Sequence, residues 1–144
     1  MIYTDLTKKA MKLAYHAHDG QEDKNGIPYI FHPIHLAEQM TDEETTVCAL
    51  LHDVIEDTSI TLDYLREQGF PASVIEALSL LTHDKSVPYM DYVRAIKKNK
   101  IAAAVKAADL RHNIDLSRLD SVGEKDIKRV EKYRQALALL EEEE

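Results

Sequence analysis

Apolar positions recur every three or four residues along nearly the whole chain, a spacing typical of amphipathic α-helices. The first such stretch covers about residues 4–18, and Asp19-Gly20 ends it. No segment alternates apolar and polar residues over the length of a strand, so we expect no sheet. The pattern predicts an all-α fold, a compact helical bundle that forms a single domain over residues 1–144.

Local signals predict where the later helices begin. Pro33 suits the first turn of a second helix, because its missing N–H is not needed there. Asp42 is a good N-cap for a third helix, which is apolar on most sides and should therefore be buried. Further helices are expected over about residues 62–68, 71–82, 88–96 and 101–113, and after a capping box at Ser121–Glu124.

Composition and charge restrict the classes of function. The chain has 144 residues and a formal net charge of −8, which argues against nucleic acid polymers and anionic membranes as partners. Its one cysteine, Cys48, lies in an apolar run and excludes a disulfide framework. No membrane span or signal peptide is evident, so we expect a soluble cytoplasmic protein. The acidic tail, residues 141–144, is expected to be frayed and solvated.

The C-terminal end of the third predicted helix carries four polar residues in an otherwise apolar segment: His52, Asp53, Glu56 and Asp57. Helical spacing pairs His52 with Glu56 and Asp53 with Asp57. Three neighbouring carboxylates repel one another unless a cation lies near, and a divalent ion satisfies this arrangement. The alternative is a solvent-exposed helix end that caps the next element.

Two further positions extend this pattern. His32 precedes Pro33, which favours an extended backbone and a rigid side chain, although a capping or core histidine is the alternative. Asp109 lies in an alanine-rich predicted helix, one turn before Asn113. The alternative to a metal ligand at this position is an ion pair between Asp109 and a basic residue.

Two imidazoles and two carboxylates together suit one first-row divalent ion with open positions for water and substrate. Glu56 and Asp57 lie one turn further along the chain than Asp53. We therefore expect them to hold or deprotonate a water molecule at that ion.

Longer motifs narrow the interpretation. Four blocks occur in order: AHDGQ at 17–21, KNGIPYIFHP at 24–33, LLHDVIEDT at 50–58, and KAAD at 106–109 followed by HN at 112–113. Together with the set His32, His52-Asp53 and Asp109, they resemble the HD-domain metal-dependent phosphohydrolases. Within that group, the blocks are most similar to the (p)ppGpp hydrolase domain of the RelA/SpoT enzymes and to their small stand-alone relatives.

The resemblance implies an HD-type helical bundle that holds one Mn²⁺ and removes pyrophosphate from the ribose 3′ position of guanosine tetra- or pentaphosphate. By position, it implies four metal ligands: His32, His52, Asp53 and Asp109. It also implies that an acidic pair, Glu56 and Asp57, activates the attacking water. The residues that fall where the family contacts the nucleotide are Lys24, Asn25 and Asn113.

Three departures leave the substrate open. The family usually has a basic pair where this chain has Asp23-Lys24, and it has serine at the position of Asn25. After Asn113 the family tends toward arginine and threonine, whereas this chain has Ile114, Asp115 and Leu116. A hydrolase for another nucleotide and a catalytically silent nucleotide-binding regulator are the alternatives, although the intact Glu56-Asp57 pair argues against the regulator. The expected partner is a small nucleotide, and a homodimer through an exposed apolar helix face is left open.

Overall fold

Nine α-helices account for most of the fold in the computed structural model, which describes residues 1–142. They are α1 (Asp5–Ala17), α2 (Phe31–Glu38), α3 (Glu43–Leu51), α4 (Val54–Asp57), α5 (Leu62–Glu67), α6 (Ala72–Leu81), α7 (Tyr89–Lys97), α8 (Lys100–Ile114) and α9 (Glu124–Glu141). A 3₁₀ turn, Leu116–Arg118, connects α8 to α9. Within the described residues there is no strand, only an isolated bridge between Glu22 and Pro28. The all-α prediction is confirmed.

Helix α3 forms the centre of the bundle. Every residue from Thr45 to Leu51 is buried, and α3 packs against α1, α2, α6 and α8. Cys48 is fully buried in this core, as its apolar surroundings predict. A helix that is apolar on nearly all sides is stable only when other helices cover it, and this explains the central position. Across residues 1–142, no helix is both long and apolar enough to cross a membrane.

Polar caps begin several helices where the sequence predicts them. The Asp42 carboxylate accepts the backbone N–H of Thr45 at 2.8 Å and so caps α3. Pro33 lies in the first turn of α2, where a missing N–H costs no helical hydrogen bond.

The third helix does not continue to Asp57 as predicted. Helix α3 ends at Leu51, and α4 begins only at Val54. The imidazole Nδ1 of His52 lies 2.7 Å from the carbonyl oxygen of Ala49, and Asp53 has φ −104° and ψ 0°, outside the helical range. The His52 side chain thus binds a backbone carbonyl in the last turn of α3. The chain changes direction at His52 and Asp53.

Three other local predictions were wrong. His32 lies inside α2 and is not extended, since its ring is anchored in the interior and tertiary contacts override the pre-proline preference. Helix α9 begins at Glu124, and its capping contact runs from the Gly123 N–H to Asp126, so Ser121 is not the cap. Glu141 is the last residue of α9 and pairs with Arg111 at 2.8 Å, so the predicted frayed tail does not begin there. Its final two positions, 143 and 144, lie outside the described residues.

Candidate active site

The four predicted metal ligands converge from three parts of the fold. His32 comes from α2, His52 and Asp53 from the turn between α3 and α4, and Asp109 from α8. The Nε2 atoms of His32 and His52 are 3.3 Å apart. Asp109 Oδ1 lies 2.9 Å from Nε2 of His32, and Asp53 Oδ2 lies 2.8 Å from Nε2 of His52. His32, His52 and Asp109 each offer one ligand atom, and these atoms lie within 4.8 Å of one another.

The second nitrogen of each imidazole has its own partner. His52 Nδ1 faces the carbonyl oxygen of Ala49, which accepts only a donor, so Nδ1 carries a proton and Nε2 is the nitrogen available to a metal once its own proton is lost. His32 Nδ1 lies 2.7 Å from Nδ1 of His112, and the two rings stack within 7° of parallel. With His32 as the donor in that pair, its Nε2 is also free to bind a metal. This arrangement is typical of histidine ligands oriented through their outer nitrogen.

The two carboxylates are held by donors from outside the cluster. Asp109 Oδ1 accepts Nδ2 of Asn113 at 2.9 Å, and Oδ2 accepts Nζ of Lys106 at 3.0 Å. Burial raises the pKa of Asp109, but the charge of Lys106 and the neighbouring imidazoles outweigh it and hold that pKa well below its usual range. Tyr29 donates its hydroxyl to Asp53 Oδ2. Burial raises the pKa of Asp53 as well, but the charge and hydrogen bond of His52 lower it overall. Both carboxylates are therefore ionised at neutral pH.

The electrostatics of the cluster favour a cation. His52 is only 4% exposed, and burial by itself lowers its pKa, but the charge and hydrogen bond of Asp53 raise that pKa to about 9. The two ionised carboxylates thus draw positive charge onto the buried imidazole. Two imidazole nitrogens and two carboxylates without a thiolate form a donor set that suits a divalent first-row ion. The residues present therefore fit the metal that the sequence predicts.

A cleft of about 940 Å³ opens above this cluster. His32, Asp53 and Asp109 line it, and the three residues predicted to contact nucleotide line it too: Lys24, Asn25 and Asn113. Two arginines that sequence reasoning missed, Arg118 and Arg129, add positive charge to the lining. The volume falls in the range of small-molecule sites.

The departures Asp23 and Asp115 have local structural roles at the edge of the cleft. Asp23 Oδ1 accepts the backbone N–H groups of Asn25 at 2.8 Å and of Ile27 at 3.1 Å. Asp115 Oδ1 accepts the N–H and the hydroxyl of Ser117 and so caps the 3₁₀ turn. Both are short polar side chains that stabilise turns through their own backbone neighbourhood.

Asn25 joins these two segments. Its side-chain oxygen accepts the backbone N–H of Asp120 at 3.0 Å, 95 positions further along the chain. The loop before α2 is therefore tied to the segment between α8 and α9. The cleft is enclosed on this side by the contact between the two segments.

The acidic pair lies in α4, one turn beyond Asp53. Glu56 accepts the backbone N–H of His83 through Oε1. Burial and the charges of Asp53 and Glu56 raise the pKa of Asp57. Both side chains are exposed, and neither is among the described residues that line the cleft.

Two residues that contact the ligand cluster were missed as site residues: Tyr29 binds Asp53, and His112 binds His32. Both stand inside the motif blocks of the sequence, but a tyrosine or a histidine beside a ligand in sequence has many ordinary uses. Lys106 binds Asp109, which is the ion pair with a basic residue that the sequence left open for that aspartate.

Curated relatives are similar to this chain over most of its length. The bifunctional (p)ppGpp synthase/hydrolase SpoT of Escherichia coli K12 is 37% identical over 122 residues, which cover 74% of this chain and 17% of SpoT. The chain thus spans about a sixth of that relative's length. The guanosine-3′,5′-bis(diphosphate) 3′-pyrophosphohydrolase MESH1 of Mus musculus is 36% identical over 129 residues, which cover 80% of this chain and 72% of MESH1.

A solved structure of a metazoan ortholog of SpoT that hydrolyses ppGpp has the same fold. It superposes with a TM-score of 0.74 at 23% sequence identity and covers 97% of this chain and 87% of the solved one. The family model described as HD domain matches residues 10–114, the segment that contains all four converging ligand residues. The chain belongs to the HD domain family.

Proposed function

We propose that this chain is a metal-dependent hydrolase that removes the 3′-pyrophosphate from guanosine 3′,5′-bis(diphosphate) and its pentaphosphate analogue. The observation that carries the proposal is the convergence of His32, His52, Asp53 and Asp109 at the base of a cleft with nucleotide dimensions. The names of the relatives SpoT and MESH1 supply the substrate.

The proposed metal is a single Mn²⁺ ion, held by the two imidazole Nε2 atoms and by the carboxylates of Asp53 and Asp109. A mixed nitrogen and oxygen set with no thiolate suits Mn²⁺, although availability rather than affinity selects the ion in a cell. When bound, such a cation neutralises charge on phosphoryl oxygens and makes a water molecule more acidic. Lys106 and Asn113 hold the Asp109 carboxylate in one orientation, so the site is organised before the ion arrives.

The proposed reaction is the attack of water on the phosphorus attached to O3′. The new P–O bond forms as the bond to O3′ breaks, and the products are a nucleotide with a free 3′-hydroxyl and pyrophosphate. One carboxylate of the pair Glu56 and Asp57 is proposed to accept a proton from the water, and the departing O3′ takes up a proton from solvent. The raised pKa of Asp57 suits a proton acceptor, since its carboxylate binds a proton more readily than an ordinary aspartate does.

Three basic side chains line the cleft together with the amide of Asn113: Lys24, Arg118 and Arg129, the last of which pairs with Asp126 at 2.8 Å. Six carboxylates line it as well, those of Glu22, Asp23, Glu38, Asp53, Asp109 and Asp115, so the proposed metal ion would have to add to the positive charge that the phosphates meet. Arg118 also donates to the carbonyl of His112 at 2.8 Å, so its guanidinium is fixed beside the cluster. We propose that these groups bind the charged ends of the substrate and that Asn25 acts by holding the loop in place.

Turnover against a nucleotide panel tests this function. Purified protein loaded with Mn²⁺ is expected to release pyrophosphate from ppGpp faster than from other phosphorylated nucleotides, and chelation with EDTA is expected to stop the release. Faster release of phosphate or pyrophosphate from another nucleotide would show that this nucleotide is the substrate, and the proposed metal chemistry would stand. Nucleotide binding without any turnover would favour the regulator.

A further inference from the structure

We propose that Phe31, supported by Ile27, forms an apolar platform in the cleft on which the nucleobase of the substrate stacks. The inference rests on the proposed function in taking a nucleotide as the ligand, and it adds a binding contact for the base to that function. The base would lie against the α2 side of the cleft, while its phosphates reach the metal cluster and the arginines.

Both residues are unusually exposed for their type. Phe31 is 58% exposed and Ile27 is 49% exposed, and both line the cleft. A ligand that covers apolar side chains in a cleft removes them from water, which favours binding. The flat face of an aromatic ring binds any base by stacking. Large exposed apolar side chains outside the cleft lining include Tyr3 and Tyr15 on the α1 side of the fold.

The position of Phe31 is set by the helix that supplies a metal-ligand candidate. Phe31 is the first residue of α2, and its neighbours His32 and Pro33 are buried. Residues 34, 35 and 38 of the same helix also line the cleft, so one face of α2 forms a wall of it. Phe31 therefore lies beside the cluster, within the reach of a nucleotide whose 3′ end is at His32.

Ile27 is held by the turn that Asp23 closes. Its backbone N–H donates to the Asp23 carboxylate, and its carbonyl accepts the N–H of Asp23 at 2.8 Å. The Asn25 contact with Asp120 fixes the same loop from the other side. An apolar side chain on a loop held at three points is presented in one place, which lowers the entropic cost of binding.

The charge pattern of the cleft matches a ligand with one apolar and one anionic end. The α2 side contributes Phe31 and Ile34, whereas Arg118 and Arg129 come from the segments after α8. The rings of Tyr29, His35, His112 and Tyr133 line the cleft as well, but Phe31 is the most exposed of its hydrophobic side chains. A nucleotide satisfies both halves of the cleft.

Equilibrium binding of guanosine 5′-diphosphate tests the platform without depending on turnover. Isothermal titration calorimetry on the Mn²⁺-loaded wild type, Phe31→Ala, Phe31→Tyr and the control Tyr15→Ala would compare four dissociation constants. Stacking on one aromatic ring is worth about 1–3 kcal/mol, so Phe31→Ala is expected to weaken binding at least fivefold. Phe31→Tyr is expected to restore it, and Tyr15→Ala, which removes an equally exposed ring from α1, is expected to match the wild type.

A base-free ligand separates stacking from phosphate binding. The affinity for inorganic pyrophosphate is expected to be the same in Phe31→Ala and the wild type. Equal affinity of both proteins for guanosine 5′-diphosphate, or an equal loss for pyrophosphate, would overturn the platform. So would a change in oligomeric state on light scattering with unchanged nucleotide affinity, which would make Phe31 a contact between copies. A wild type that binds the nucleotide through Phe31 but does not hydrolyse ppGpp would instead overturn only the proposed function.

Discussion

Four aspartates line the cleft, and they form two pairs in opposite environments. Asp53 and Asp109 lie at its base, where their carboxylates face imidazoles, Tyr29 and Lys106. Asp23 and Asp115 lie at its edge, where their carboxylates accept backbone N–H groups of their own turns. The same side chain thus supplies charge to a buried cluster in one pair and closes a loop in the other. Burial decides the difference, because a buried carboxylate needs charged partners.

Asp53→Ala is the sharpest test of the deep pair. It removes one of four proposed ligands and leaves His52 without its closest charged partner, so metal affinity is expected to fall at least about 100-fold and hydrolysis to reach background. Calorimetric titration with Mn²⁺ measures the affinity. Asp115→Asn is the matched control, since an amide oxygen can still cap Ser117, and it should bind metal as the wild type does. An equal loss in both variants would remove the distinction between the pairs.

Glu56→Gln tests the proposed division between metal binding and proton transfer. The amide keeps an oxygen that can accept the His83 N–H but cannot take a proton from water. Turnover is expected to fall about 10²- to 10⁴-fold with metal affinity unchanged. Loss of the metal in this variant would contradict the assigned role and place Glu56 with the ligands.

Lys106→Met tests how much the deep pair depends on its outside donor. Lys106 lies over the rings of Tyr89 and Tyr92 and pairs with the buried Asp109, so its removal leaves a carboxylate without its strongest partner. We expect the metal-free protein to lose about 3–5 kcal/mol of unfolding free energy and metal affinity to fall about 10- to 100-fold.

Denaturant titration and Mn²⁺ calorimetry give these two quantities. Lys132→Met is the control, because Lys132 also lies over the Tyr89 ring but is exposed. A similar effect in the control would assign the loss to the cation–ring contacts.

Asp23→Arg has the smallest expected effect and tests the edge pair. It restores a basic residue in the loop but removes an acceptor for two backbone N–H groups, so unfolding free energy is expected to fall by about 1 kcal/mol. An exposed cation near phosphate should raise kcat/KM for ppGpp about two- to fivefold. Asp23→Asn keeps the acceptor and should change neither quantity. An unchanged kcat/KM in Asp23→Arg would show that the side chain at position 23 does not contribute to substrate recognition.

Much of the fold was predictable because helical periodicity and caps act locally. The cap at Asp42, the place of Pro33 in the first turn of α2 and the burial of α3 follow from a few neighbouring residues. The errors occurred where distant contacts override local preference. His32 is helical before proline because its ring is anchored 77 positions away at Asp109. The break after α3 has a local cause instead, since His52 Nδ1 pairs with the carbonyl oxygen of Ala49, and the resulting turn brings His52 and Asp53 to the cluster.

The order and spacing of His32, His52-Asp53 and Asp109 determined the candidate ligands and the family, since these residue types carry their chemistry wherever the chain places them. Only the tertiary structure decided what surrounds them. Tyr29 and His112 became partners of the ligands, and Arg118 and Arg129 came to line the cleft, because segments far apart in sequence pack side by side. Asp23 differs from these residues, because its hydrogen bonds reach only two and four positions along the chain and belong to a local turn.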